Sequence, residues 1–134
     1  MAAKAISIDR LLRVLADPTR LRILNLMRDQ EVCVCYFVEV LETSQPKISR
    51  HLAYLRRAGL VAARRSGYWM RYRMVIPQDR CAARILGEVL DCMRGLQQGK
   101  RDLTRLEAAC CAPEKFVRLE GAPRPVEIKR GAGG

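Results

Sequence analysis

Apolar side chains recur at helical spacing through most of the chain. A first helix is predicted over residues 7–16, and a second from Asp17 to about Arg28. The Asp17-Pro18 pair is typical of a helix start, because the carboxylate accepts hydrogen bonds from backbone N–H groups and proline has no N–H to leave unpaired. Residues 32–42 are apolar nearly all round and predict a buried helix.

A short polar interruption separates this buried helix from the next one. Thr43 and Ser44 break the apolar pattern, and Ser44 is a good N-cap for a helix over residues 45–57. The apolar face of that helix is formed by Ile48, Leu52 and Leu55. Because its other face is polar, the buried helix, the turn and this second helix together predict a helix-turn-helix.

The second half of the chain predicts a hairpin and a long helix. Residues 60–65 and 68–75 flank Ser66-Gly67 as the strands of a β-hairpin, and basic residues run through both strands. A long helix is predicted from Gln78. Its apolar stripe comprises Ala82, Ile85, Leu86, Val89, Met93 and Leu96. One small domain would not cover so long a stripe, so we predict that it is a dimer face.

The end of the chain predicts little regular structure. One more short helix is predicted over residues 101–111, and a frayed tail after Pro113. The whole pattern predicts a mainly α fold with a small β-hairpin, that is, a winged helix-turn-helix that forms dimers. Residues 1–98 would form the winged helix-turn-helix and dimerisation domain. Residues 99–134 would form a C-terminal extension with a thiol pair and a disordered tail.

The composition of the chain indicates the kind of partner that it binds and the compartment in which it works. A formal net charge of +11 on 134 residues favours a polyanionic partner, because lysines and arginines that neutralise phosphates release counterions. No apolar segment is long enough to span a membrane, and the first residues lack the apolar stretch of a secretory signal, so a cytoplasmic protein is predicted. Six cysteines in that compartment favour metal binding or redox chemistry over disulfides.

A nucleic-acid interface is predicted on the helix-turn-helix and the hairpin. The first turns of the second helix lie nearest the base edges in this motif, and glutamine and arginine pair well with adenine and guanine. Basic side chains of the hairpin are expected to meet phosphates or the minor groove. The candidate contacts are Gln45, Lys47, Ser49 and Arg50 to bases, His51 to the DNA backbone, and Arg64, Arg65, Arg71 and Arg73 from the hairpin.

Four stretches of the sequence resemble a known family. Within residues 8–97 the chain is similar to the ArsR/SmtB family of metal-sensing winged-helix repressors in the stretches LADPTRLRIL, EVCVC, SQPKISRHLAYLRRAGLV and RRSGYWMRYR. EVCVC followed by SQPKISRHL most resembles the arsenical-resistance repressors of that family. The resemblance implies a homodimer without a permanent cofactor that blocks a resistance operon. It would leave its double-stranded operator DNA when it binds arsenite, antimonite or a trivalent organoarsenical.

The resemblance also makes Cys33 and Cys35 candidate ligands, because they match the Cys-Val-Cys motif of the family's thiolate sites. In the arsenite sensors a third cysteine follows three residues after the second, where this chain has Val38. The family's cadmium and lead sensors, which are the alternative within the class, add cysteines from an N-terminal arm. This chain has no cysteine before Cys33.

The remaining cysteines leave alternatives open. Cys110 and Cys111 resemble the C-terminal thiolate ligands of other family members, and a site that joins them to the Cys-Val-Cys motif across a dimer is a further alternative. Cys92 is predicted either as a third ligand or as a small buried hydrophobe, and Cys81 as a buried hydrophobe.

Thiolate chemistry favours a soft or thiophilic ion as the ligand, and the spacing of the cysteines argues against an oxidoreductase. Thiolates are soft donors that select soft or thiophilic ions. The family's zinc and nickel sensors use histidines and carboxylates on the last long helix, whereas the single histidine here, His51, lies in the predicted recognition helix. Alternatives from other classes are a cytosolic thiol oxidoreductase and a basic scaffold protein. Against an oxidoreductase, Cys-Val-Cys does not have the Cys-x-x-Cys redox spacing.

Overall fold

Helices and short strands alternate in the computed structural model, which describes residues 6–128. The helices are α1 (Ile8–Leu15), α2 (Pro18–Leu26), α3 (Val34–Leu41), α4 (Gln45–Arg57), α5 (Arg80–Gly95) and α6 (Gln97–Cys111). The strands are β1 (Gln30–Cys33), β2 (Val61–Ser66), β3 (Trp69–Met74) and β4 (Val126–Glu127). All pairs are antiparallel, and the order in the sheet is β2-β3-β1-β4.

Local capping starts two helices where the sequence predicts them. The Asp17 carboxylate accepts a hydrogen bond from the Arg20 N–H at 3.0 Å, and the Ser44 hydroxyl accepts one from the Lys47 N–H at 3.4 Å. Helix α3 ends at Leu41, and three residues separate it from α4. The predicted helix-turn-helix is confirmed, and it is followed by the β2–β3 hairpin, which we call the wing.

The predicted single helix over residues 32–42 is wrong at its start. Residues up to Cys33 instead form β1, and the helix begins at Val34. Strand β1 pairs with β3 through Val32 opposite Tyr72 and Cys33 opposite Arg71. These partners are far away in sequence, so a local apolar pattern could not reveal a strand there.

The wing turns one residue later than predicted. Ser66 pairs with Trp69, which leaves Gly67 and Tyr68 as the two loop residues. Gly67 has a φ of +62°, a conformation that glycine adopts without a steric penalty. Tyr68 at the tip is fully exposed.

The apolar stripe of α5 is predicted to form one dimer face, but its residues lie partly in the core and partly on the outer side of the helix. Ala82, Leu86 and Met93 are buried inside the protein, where α2 and α6 pack against α5. Ile85 and Val89 remain half-buried on the outer side. Only part of the stripe is therefore available to a second protein, because α6 starts earlier and covers more of α5 than the sequence predicts.

Helix α6 belongs to the same core as the helix-turn-helix. Leu106 and Ala109 are buried in that core. Asp102 is fully buried and accepts two hydrogen bonds from the Arg22 guanidinium of α2, at 2.8 and 2.9 Å. A Cβ at Gly99 would lie 1.8 Å from the Met93 carbonyl oxygen, so α5 and α6 meet there at backbone contact.

The predicted frayed tail after Pro113 is wrong for residues 113–128. Two short 3-10 turns, Pro113–Lys115 and Val117–Leu119, lie against the helices, and Leu119 is buried beside α3. Strand β4 then adds to the free edge of β1. The tail is ordered because it covers an apolar surface and a strand edge that local sequence does not display. The prediction for residues 129–134 lies outside the described residues.

Candidate nucleic-acid interface and thiol site

The surface predicted to contact DNA is the polar face of α4. The residues predicted to contact bases, Gln45, Lys47, Ser49 and Arg50, are all exposed. Their opposite face is fixed to the core by three fully buried residues, Ile48, Leu52 and Leu55. Burial of that face decides which side of the helix reaches outward, so the four polar residues form one continuous surface.

His51 lies at the side of this surface, against α2. Its Nδ1 is 3.5 Å from an Arg20 guanidinium nitrogen and 4.0 Å from the Asp17 carboxylate. Burial lowers the pKa of His51, and the nearby Asp17 carboxylate partly opposes that shift. The Arg20 guanidinium also stacks 4.4 Å from the centre of the Tyr54 ring. His51 therefore helps to join α4 to α2, and its predicted contact with the DNA backbone remains a prediction.

Two open grooves along α4 contain basic residues that the sequence prediction missed. One is lined by Arg20, Lys47, Arg50, His51 and Arg57 among others. The other runs from Ser49 past Arg56 and Arg57 to Tyr72 of the wing. Arg56 and Arg57 lie in the last turn of α4, one or two turns along from Arg50. That helical spacing was a signal available in the sequence.

The wing arginines separate into two kinds. Arg65 and Arg73 are exposed, as a contact with DNA requires. Arg64 and Arg71 both contact the Glu31 carboxylate of β1, with nitrogen–oxygen distances of 2.5 and 3.4 Å. The hydrogen bond from Arg64 holds the pKa of Glu31 below its usual range. The Arg71 side chain is only 15% exposed, so this geometry does not favour the predicted DNA contact at Arg71.

Cys33 and Cys35 lie at the junction of β1 and α3. Cys33 is buried and is the N-cap residue of α3 in an extended conformation, and Cys35 is half-buried in the first turn. A hydrogen bond with the Cys35 thiol lowers the pKa of Cys33 to about 7, and the positive charge of Arg71 adds to this effect. The same interaction raises the pKa of Cys35. Because Cys33 is outside the regular helix, the two sulfurs approach each other without any distortion of α3.

Cys110 and Cys111 occupy the last turn of α6. Cys110 is half-buried and Cys111 is exposed, and burial raises the pKa of Cys110. Tyr36 of α3 lies within electrostatic range of Cys110 and of the Cys33–Cys35 pair. Tyr36 is fully buried, and its hydroxyl has no hydrogen-bond partner among the described residues. One chain thus brings Cys110 and the Cys33–Cys35 pair towards the same tyrosine.

The remaining thiols stand apart from these pairs. Cys92 and Cys81 are both exposed on α5, so the predictions of buried hydrophobes are wrong for these two residues. Within residues 6–128, no three cysteine, histidine or carboxylate side chains are gathered as the ligands of a metal site. Cys33 and Cys35 provide two adjacent donors, and any third ligand must come from a rearrangement or from a second chain.

Comparison with known proteins identifies the family. Residues 17–63 match the family described as "Bacterial regulatory protein, arsR family". The arsenical resistance operon repressor of Escherichia coli (strain K12) is 45% identical over 84 residues, which cover 62% of this chain and 72% of that repressor. The chain belongs to the arsR family. It is therefore a DNA-binding transcriptional repressor and not an enzyme.

Two further relatives agree with this assignment. The arsenic resistance transcriptional regulator ArsR1 of Pseudomonas putida is 54% identical over 63 residues, which cover 46% of this chain and 49% of that regulator. The crystal structure of the AntR antimony-specific transcriptional repressor superposes with a TM-score of 0.54 at 30% identity, over 68% of this chain and 80% of AntR. The winged-helix fold predicted from the sequence is confirmed. No helix within residues 6–128 is both long and apolar enough to cross a membrane.

Proposed function

We propose that this arsR-family protein is a homodimeric repressor of a resistance operon that leaves its operator when a trivalent arsenical or antimonial binds its cysteine thiolates. The observation that carries the proposal is the Cys33–Cys35 thiol pair at the start of α3. That helix packs directly against the recognition helix α4. One relative is named for arsenical resistance and another is antimony-specific, which supports this class of inducer.

The donor chemistry fits a trivalent metalloid. Thiolate sulfur is the soft donor that such ions select. A pKa of about 7 makes Cys33 partly ionised at neutral pH, and the thiolate is the form of cysteine that binds metals. Two thiols condense with arsenous acid to form two sulfur–arsenic bonds and release two water molecules, with no change in oxidation state.

An open groove connects Cys35 of this thiol pair to the surface predicted to contact DNA. Cys35 lines it together with Thr43, Ser44 and Gln45, the last two being the N-cap and the first residue of α4. A ligand that bonds to Cys35 from the groove would therefore lie beside the start of the recognition helix. We propose that occupation of this site shifts α4 relative to the rest of the protein. The loss of DNA affinity is the coupling free energy, which is typically about 1–3 kcal/mol.

The C-terminal thiols are the second candidate for the same role. Helix α6, which ends in Cys110 and Cys111, packs against α3 as well as α2 and α5. Bonding of an ion to these thiols would act on α3 from the side of α6. In that case the change reaches α4 through α3 and Tyr36 rather than through the groove.

The dimer that we propose uses the outer faces of α1 and α5. Ile8 and Leu12 of α1 are 40% and 51% exposed. On α5, Ile85 and Val89 line an open apolar depression with Cys81. Apolar surface of this kind favours association, and a twofold dimer would place two recognition helices on half-sites about one helical turn apart.

The two thiol pairs are separable by mutation. We would measure release of a fluorescent operator duplex by anisotropy as sodium arsenite is added, with a phosphine reductant because dithiols bind arsenic. The variants are Cys33→Ser with Cys35→Ser, Cys110→Ser with Cys111→Ser, and all four together. Cys81→Ser is the matched control, because Cys81 is an exposed thiol on α5 that belongs to neither pair; since it lines the proposed dimer face, sedimentation checks that this variant associates like the parent.

We expect the control to behave as the parent and at least one double variant to keep the operator at arsenite concentrations that release the parent. If the quadruple variant still releases DNA like the parent, the thiol-sensor proposal is wrong. Cadmium, lead and zinc are run beside arsenite and antimonite. Release by cadmium or lead where arsenite fails would support the alternative inducer, and release by zinc alone would contradict a thiolate site without histidine.

A further inference from the structure

Arg71 lies where the wing leaves the body of the protein. It is directly opposite Cys33, and this pair is the last one between β3 and β1 on the way to the wing tip. From Arg71 towards the tip, the wing strands pair only with each other, up to Ser66 opposite Trp69. The Cys33–Arg71 pair is therefore the position from which a displacement would be carried outward along the hairpin.

The Arg71 guanidinium is incompletely paired. Arg64 and Arg71 share the single Glu31 carboxylate, and Arg64 makes the shorter contact with it. The Arg71 side chain is only 15% exposed. Its Nε–H is buried and has no hydrogen-bond acceptor in the described part of the chain. A buried donor without an acceptor is costly, so a change in its surroundings readily alters where the group rests.

The nearest neighbour across the strands is the Cys33 side chain. Directly opposed residues of an antiparallel pair project from the same face of the sheet, with Cβ atoms about 4.5–5.5 Å apart. The register therefore places the Arg71 stem beside the Cys33 sulfur. In agreement with this geometry, the charge of Arg71 contributes to the lowered pKa of Cys33.

We infer that Arg71 transmits occupation of Cys33 to the wing. In the free protein the Cys33 side chain lies opposite the Arg71 stem, and a sulfur bonded to arsenic adds bulk next to β3. Arg71 must then move, and the wing with its exposed Arg65 and Arg73 moves with it. This inference rests on the proposed thiol sensing and adds a second route to DNA release, besides the displacement of α4.

The test separates binding of the inducer from its coupling to DNA. Arsenite affinity is measured for the free protein and for the operator complex of the parent, Arg71→Gln, Arg71→Lys and Arg73→Gln. The ratio of the two affinities is the coupling, which for allosteric proteins is typically about 5–150-fold. Arg73→Gln is the matched control, because it removes the same charge from an exposed position of the same strand.

We expect Arg73→Gln to weaken operator binding and to lose less coupling than Arg71→Gln, because the wing still moves and Arg65 still loses its contact with DNA. Arg71→Gln should still bind arsenite, but its coupling should fall at least about threefold, well inside the range that such ratios span. Arg71→Lys should lose coupling too, because lysine keeps the charge but has no Nε–H at that place. Because lysine keeps an ion pair with Glu31, Arg71→Lys also serves as the test if Arg71→Gln does not fold.

The single tryptophan of the chain supplies an independent signal. Trp69 lies two residues from Arg71 on the same face of β3, so its fluorescence should change when arsenite binds the parent and not when it binds Arg71→Lys or Arg71→Gln. A coupling in both Arg71 variants equal to that of the parent would overturn the inference while leaving the proposed function intact. Failure of arsenite to release the parent from DNA would instead refute the proposed function.

Discussion

Removal of Arg22 should be among the most damaging single changes outside the apolar core. Its guanidinium makes two hydrogen bonds, of 2.8 and 2.9 Å, to Asp102, and this joins α2 to α6. Asp102 is 0% exposed, whereas Arg22 keeps 24% of its side-chain surface in water. Substitution of Arg22 by methionine would keep most of the packing and leave a buried carboxylate without its counter-charge.

The expected loss in the free energy of unfolding follows from the burial of Asp102. Loss of one partner of a buried ion pair typically destabilises by about 3–5 kcal/mol, because the remaining charge is desolvated and uncompensated. Gln98 still donates a 3.0 Å hydrogen bond to Asp102, so we expect the lower end, about 3 kcal/mol. Replacing both partners, Arg22→Met with Asp102→Leu, should recover most of the loss, because no charge is then left buried.

Urea unfolding at one fixed protein concentration measures the effect, since association would add to stability. The matched control is Arg13→Gln, whose partner Asp9 is 75% exposed, and we expect at most about 1 kcal/mol there. If Arg22→Met costs no more than Arg13→Gln, or if the double variant is no better than the single one, the pair does not hold α6 to α2 as argued.

Three further outcomes are expected. Arg50→Ala should weaken binding to the operator more than to a scrambled duplex, by about 1–3 kcal/mol of discrimination, and equal losses in anisotropy titrations would mean a phosphate contact only. Gly99→Ala should destabilise by about 1–3 kcal/mol or more in urea, because its Cβ would lie 1.8 Å from the Met93 carbonyl oxygen; an unchanged midpoint would contradict the close approach of α5 and α6. The pKa of Glu31 is lowered from 4.5 by Arg64 and Arg71, so its contribution to stability is complete above about pH 4.5 and lost as the pH falls through the lower folded value. Trp69 fluorescence should report this acid transition of the wing, and Glu31→Gln should abolish it.

Features that depend on a few neighbouring residues could be predicted from the sequence. The caps at Asp17 and Ser44 and the outward face of α4 need only the spacing of residues within one or two turns. The Cys-Val-Cys motif and the basic hairpin pointed to the family for the same reason. The chemistry of the candidate site was thus carried by local residue order.

Features that depend on distant partners were decided only by the tertiary structure. Strand β1 exists because it has β3 on one edge and β4 on the other, and this pairing takes Cys33 out of the helix and towards Cys35. Arg71 follows the pattern of a DNA-contacting residue, yet Glu31 of β1 draws it into the wing base. Long-range pairing and burial choose between conformations that local sequence leaves nearly equal in free energy, and they decide which charges and thiols meet.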